Sequence, residues 1–243
     1  MTAAERLTTS IWVRPERSAV GRPARWSRAQ ITEVALRIAD AEGLDAVSMR
    51  RVAAELGTGA ASLYRYVETR EDLLDLMTDA AGAEYEPVPA TGDWLADIVA
   101  LGEQARVIFR RHRWLAGLTL TRPVIGPNGV ALIEHFLTLL RGHPAGIAAK
   151  MEAFGMLNGI TAAFALQERT DPDLQARNLA YLGHALTSGG HPRLTAFLSP
   201  QAQLPPPGDI EGRYRDLIAR VLTGLLAPGS PSSSGVHPRV DGL

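Results

Sequence analysis

Between residues 27 and 227 the apolar side chains recur at intervals of three and four, and no stretch alternates apolar with polar as a half-buried strand must. Residues at i, i+3, i+4 and i+7 share one face of an α-helix, so this period confines the chain to an all-α fold built from amphipathic helices. Ser27 and Gln30 have capping-box spacing, and Ile31, Val34, Ala35 and Ile38 follow on one face until Gly43. Ser48 caps a second helix carrying Met49, Val52, Ala53 and Leu56. Gly57-Thr58-Gly59 ends it, because glycine permits the positive φ of a sharp reversal. A third helix is expected over residues 60–67, with Leu63 and Val67 inward. Thr69 and Asp72 form another capping box, opening a fourth helix over 70–83 with Leu73, Leu76, Met77 and Ala80 on one stripe.

Pro87, Pro89 and Gly92 mark a boundary. Beyond it the period predicts helices over 93–113, 128–141, 144–169, 172–189, 191–198 and 210–227, with a Pro-rich loop at 201–208. The expected organisation is a basic flexible arm at 1–26, a three-helix helix-turn-helix domain with its connecting helix at 27–84, a helical domain at 91–227 and a disordered Pro/Ser/Gly tail at 228–243. The formal charge is only −1, so affinity for nucleic acid must be local. Five arginines (14, 17, 22, 25 and 28) face one glutamate, Glu16, in residues 10–28, a net of +4. This arm is either a solvated tail or a strand of charge lying along DNA.

The chain has no cysteine, which excludes disulfides, thiolate catalysis and cysteine-based zinc sites. It carries no H-E-x-x-H, G-x-S-x-G or Walker loop, so no enzyme, metal or cofactor is expected. No apolar run is long enough for a signal peptide or a membrane span, and the expected location is the cytoplasm.

The informative segment is residues 27–74. A short helix after a tight reversal can enter a major groove about 12 Å wide while its neighbours brace it. Ala60, Ala61 and Ser62 are small enough for close backbone approach, and Tyr64, Arg65 and Tyr66 supply donors. The string Leu63-Tyr64-Arg65-Tyr66-Val67, followed by Thr69-Arg70-Glu71-Asp72-Leu73-Leu74, resembles the signature of the TetR family of repressors. Residues 47–57 are similar to that family's second helix. The pattern around residues 63–76 looks closest to the branch that includes the tetracycline repressor.

The resemblance implies that Thr58, Gly59, Ala60 and Ser62 face base edges, and that Tyr64, Tyr66 and Arg70 contact phosphates of an operator duplex. Arg65 can read a guanine bidentately. Three positions depart from the family pattern. Gly59 replaces a frequent polar cap worth about 1 kcal/mol, Ala60 replaces a longer polar residue, and Glu68 replaces a frequent lysine.

Two stripes in the second domain, Ile147, Met151, Phe154, Asn158, Thr161, Ala165 and Ile210, Tyr214, Leu217, Val221, Leu225, are wider than one contact would bury. In the family the corresponding helices form a four-helix homodimer interface. A dimer also matches DNA geometry, since two recognition helices must sit about 34 Å apart. The family implies a small-molecule effector in this domain. Phe109, His112, Trp114, Leu118, His135, Phe136, Phe154 and Asn158 are the candidate lining. His112 and Asn158 stand out as polar members of apolar stripes that need partners. Thr121-Arg122-Pro123 is present, but no histidine precedes it as in the metal-dependent tetracycline site. An apolar or aromatic effector is therefore expected, releasing a repressor from DNA by movement of the fourth helix.

Overall fold

The computed structural model describes residues 10–15, 25–169, 171–197 and 210–227. Among these, every regular element is helical. The helices are α1 (Arg28–Glu42), α2 (Met49–Glu55), α3 (Ala60–Leu63), α4 (Arg70–Gly82), α5 (Trp94–Arg111), α6 (Leu115–Thr121), α7 (Pro127–Leu139), α8 (Ile147–Gln167), α9 (Pro172–Thr187), α10 (Pro192–Phe197) and α11 (Ile210–Leu225). The all-α expectation holds. One helix, α6, was not anticipated: it has seven residues, and its N-cap, Trp114, makes no side-chain capping bond.

Local signals act as read. Ser27 accepts from Gln30 N, and Gln30 reciprocates, so α1 starts with a complete capping box. Thr69 and Asp72 do the same for α4. At the reversal only Gly57 has positive φ, +63°. Its N–H bonds to Ala54 O, and that of Thr58 to Ala53 O, which is a Schellman ending for α2. Gly59 has φ −83° and caps α3 with no side-chain bond, so its permissiveness is not used there.

The core does not divide at the Pro/Gly boundary. Ile31, Val52, Leu63, Val67, Leu73 and Met77 are fully buried, and their cluster runs on through Phe109, Trp114, Leu115 and Ala162 of the second domain. A second cluster joins Ile98, Leu101, Phe136, Leu157, Tyr214, Ile218 and Leu222. There the Tyr214 phenol nests over Gly102, where any Cβ would overlap its hydroxyl and lie 2.9 Å from Leu157. Tyr214 also shares a 2.8 Å hydrogen bond with Thr161. Burial first, against the counteracting Thr161 bond and Arg106 charge, pushes its pKa up to about 12.

Residues 10–15 depart from the expected free arm. Ile11–Val13 is a 3-10 turn, Ile11 is buried in the first core, and Arg14 is buried in ion pairs with Asp72 and Glu68. Arg28, counted in sequence with the arm's charge, is used internally: it donates to the carbonyls of Ile11, Arg14 and Tyr66. Residues 1–9 and 16–24 of the arm, with Arg17 and Arg22, and the tail at 228–243 lie outside the described residues.

Gly57→Ala should destabilise the chain by about 1–2 kcal/mol, because a Cβ there is strained in the left-handed region although nothing stands within 4 Å of it. Calorimetric unfolding would check this; an unchanged Tm would contradict the turn geometry.

Candidate DNA interface and effector cavity

The apolar members of α3 and the following turn fix which side of that segment faces out. Leu63 and Val67 are fully buried, and the chain is pinned there by Tyr66 N and Val67 N bonding to Leu63 O. The opposite side is then necessarily open. Gly59, Ala61 and Arg65 are exposed, Tyr64 is 48 % exposed, and Thr58, Ala60 and Ser62 are half-buried. Arg65 makes no hydrogen bond or ion pair among the described residues. The four-residue α3 is shorter than the expected 60–67 helix, since the chain turns at 64–66.

Two expectations change. Tyr66 is not on this open face: it is buried at 5 % exposure in the first core, and Arg28 Nε holds its carbonyl at 3.0 Å. The expected helix over 60–67 ends at Leu63, and the chain has turned before it reaches Tyr66. Arg70 is exposed at the start of α4, but its guanidinium donates to Val47 O and Leu44 O, both at 3.3 Å. It braces the α1–α2 connection and keeps other N–H groups for an anion.

The effector candidates separate into three groups. Phe109, Phe154 and Asn158 line a cavity of about 400 Å³ bounded by α4, α5, α6, α7 and α8. Phe136 and Leu118 are core residues and His135 is a structural acceptor, its Nε2 receiving Val88 N–H at 3.1 Å; none of the three lines the cavity. His112 and Trp114 also lie outside it, at the junction with the DNA-binding unit. His112 bonds through Nδ1 to Asp40 of α1 and through Nε2 to Glu84, both at 2.8 Å, and Trp114 Nε1 donates to the same Asp40 oxygen at 2.8 Å. The partner that a buried polar His112 requires is therefore a pair of carboxylates and not a ligand.

Sequence reading missed most of the cavity wall: Asp79 and Gly82 of α4, Tyr85, Leu120, Ile125, Gly129 and Ile133. Its one charged lining residue, Asp79, is already occupied. It accepts the N–H groups of Asn128 (3.0 Å) and Gly129 (3.1 Å) and so caps α7. No arginine, lysine or histidine lines the space. Asn158 donates Nδ2 to Phe154 O, which leaves its carbonyl oxygen to accept from a guest. Such a site suits a neutral, largely apolar molecule, since an uncompensated charge would be costly there. Among the described residues no cluster of His, Asp or Glu could hold a metal ion.

The cavity is tied to the DNA-binding unit through α4. Arg122, which ends α6, pairs with Asp75 in α4, and Arg111 pairs with Glu84 at 2.6 Å.

Comparison with known proteins agrees with this layout. Residues 31–77 match the family model "Bacterial regulatory proteins, tetR family", and residues 86–226 match "Tetracyclin repressor-like, C-terminal domain". The chain is 36 % identical over 196 residues, 72 % of each protein, to the HTH-type transcriptional repressor DrrR1 of Streptomyces coeruleorubidus. Apo ActR from Streptomyces coelicolor superposes with a TM-score of 0.70 at 34 % identity, covering 83 % of this chain and 95 % of that one. A structure of ActR in complex with actinorhodin superposes at 0.69 with 33 % identity, covering 84 % and 97 %.

Burial alone would favour neutral His112, but the hydrogen bonds to Glu84 and Asp40 and their charges outweigh it, so its pKa is raised. A raised folded value gives stability that is complete below the ordinary imidazole range and is lost as pH climbs through the folded pKa. Thermal stability should therefore fall as pH rises above the ordinary imidazole range, and His112→Gln should flatten that part of the profile. A wild-type and variant profile of equal slope would remove His112 from the account.

Proposed function

This chain belongs to the TetR family of bacterial transcriptional regulators, and we propose that it is a homodimeric repressor whose operator affinity falls when a neutral apolar or aromatic molecule fills the cavity. Members of this family are DNA-binding transcription factors and not enzymes. No described helix is long and apolar enough to cross a membrane, and the proposed site of action is the cytoplasm, on double-stranded operator DNA.

One observation carries the reading. Tyr64 and Arg65 stand out of a unit whose core continues unbroken to the residues around the cavity. In this reading Thr58, Gly59, Ala60 and Ser62 approach base edges, Arg65 reads a guanine, and Tyr64 and Arg70 hold phosphates. Small residues at 59–62 leave few direct base contacts, so DNA shape contributes to specificity. The effector proposal rests on the uncharged cavity and on the relative, 33 % identical, whose structures hold actinorhodin and (S)-DNPA. Filling the cavity favours one disposition of α4, and the release can be no larger than the ligand's differential affinity for the two states.

Homodimerisation is supported by α8. It carries only Lys150 and Glu152 as charged residues over 21 positions, yet Gly155 and Met156 are exposed on the single chain. A helix apolar all round calls for cover on every side. On α11, Leu217 and Val221 flank the buried Tyr214, Ile218 and Leu222 and remain half-buried. A second copy packing α8 and α11 against their equivalents would cover both edges.

A duplex from the chain's own upstream region should shift in a gel with an affinity that falls steeply with salt; binding indifferent to salt would sink the phosphate model. Arg65→Ala should relax sequence preference, whereas Arg70→Ala should weaken all duplexes alike. Met156→Glu should leave the helical content intact but convert the protein to monomer by light scattering, since it would bury an unpaired carboxylate in the interface. A variant that stays dimeric would place the interface elsewhere.

A further inference from the structure

Residues 10–15 are fastened to the rest of the molecule at both ends. At one end Trp12 rests against Gly126, next to the cavity-lining Ile125. A Cβ on Gly126 would come within 2.5 Å of Trp12 Cζ2 and would also overlap the Asp79 carboxylate. Gly126 has φ −109°, so glycine is needed there for room and not for backbone freedom. Asp79 and Gly129, next to this contact, line the cavity.

At the other end, two residues on, the segment is fastened to the DNA-reading unit. Arg14 pairs with Asp72 and, at 3.2 Å, with Glu68. Asp72 is also the residue that completes the α4 capping box by accepting Thr69 N at 3.1 Å. Arg28 then draws three strands of chain together, donating to Ile11 O at 2.9 Å, Arg14 O at 3.0 Å and Tyr66 O at 3.0 Å. Tyr66 lies in the turn that closes the recognition segment. Ile11, 1 % exposed, anchors the middle of the strap in the shared core.

Asp72 and Asp79 are seven residues apart, hence on one face of α4 and about 10 Å from each other along its axis. The segment lies along that face and spans it. The geometry points to residues 10–15 as a strap, running antiparallel to α4, that couples the cavity wall to the recognition turn, with Trp12 as the side chain that senses the wall. The strap offers a route distinct from movement of α4 itself. When the α6–α7 loop shifts at Gly126, Trp12 is displaced. The displacement reaches the Arg14–Asp72 pair and the Arg28–Tyr66 bond without α4 having to bend. The inference rests on the cavity being the effector site proposed above, but its test needs neither DNA nor effector.

Gly126→Ala imitates a moved wall, because the added methyl has to push Trp12 off its seat. Hydrogen exchange on the full chain would be compared in wild type, Gly126→Ala, Trp12→Ala and the double variant. Gly126→Ala should speed exchange at residues 63–73 by about tenfold. The same substitution made in Trp12→Ala should add less than about twofold there, since no ring is left to push. Equal acceleration with and without Trp12 would overturn the strap and assign the route to Asp79 and α4. A change confined to residues 124–130 would overturn it as well. Should Gly126→Ala not fold, Trp12→Ala alone decides: faster exchange at both 124–130 and 63–73 supports the strap, and an effect at one end only rejects it. Absence of any gel shift would refute the repressor reading and leave this result standing, while additive exchange effects would refute the strap and leave the repressor reading intact.

Discussion

Three carboxylates on α4 fix that helix against its neighbours, two of them across to the second half of the molecule. Asp72 takes Arg14, Asp75 takes Arg122 and Asp79 takes the first N–H groups of α7. Each pairs with a different neighbour, so α4 cannot slide or turn without disturbing the N-terminal strap, the end of α6 or the start of α7. The other side of the same helix is apolar: Leu73, Leu74, Met77 and Ala81 are buried in the core shared by both domains. A helix fixed by packing on one side and by paired charge on the other transmits displacement as a rigid body, because close-packed interiors change arrangement in discrete steps.

The position of the cavity follows from the same constraint. It opens where α4 meets α7, beside the one carboxylate in its lining, and Gly126 and Gly129 keep that joint free of side chains. The His112 cluster lies just beyond the same C-terminal end of α4, where Asp40 of α1 and Glu84 converge on one imidazole. The core of the helix-turn-helix unit is continuous with residues of α5, α6 and α8. The unit's orientation therefore depends on that shared core and on the paired groups around the C-terminal end of α4.

Legibility tracked the range of the interaction. The capping residues Ser27 and Thr69, the turn at Gly57 and the inward Leu63 and Val67 depend on partners a few residues away, and each stands where the local pattern put it. Phe109, Phe154 and Asn158 reached the cavity because a helical stripe that faces a domain interior has a fair chance of facing its void. His112, Trp114, Leu118, His135 and Phe136 share the same periodicity and do not. What separates them is contact with residues such as Asp40 and Val88, tens of positions distant in the chain, and periodicity carries no information about that. Tyr66 failed for a related reason, since its side depends on where a four-residue helix stops. The cavity's own glycines and Asp79 gave no signal because small residues and exposed-looking carboxylates are common on any helix.

By itself the sequence determined the helical class, the reversal before α3, the caps of α1 and α4 and the outward set that includes Tyr64 and Arg65. These follow from the period of apolar residues and from donors and acceptors satisfied within one turn. Only the tertiary structure decided that residues 10–15 are fastened down, that Arg28 and Arg14 spend their charge inside the protein, and that one core runs across the apparent domain boundary. Those outcomes require charges and surfaces far apart in the chain to meet, and the free energy of such a meeting depends on the assembled geometry and not on the local composition.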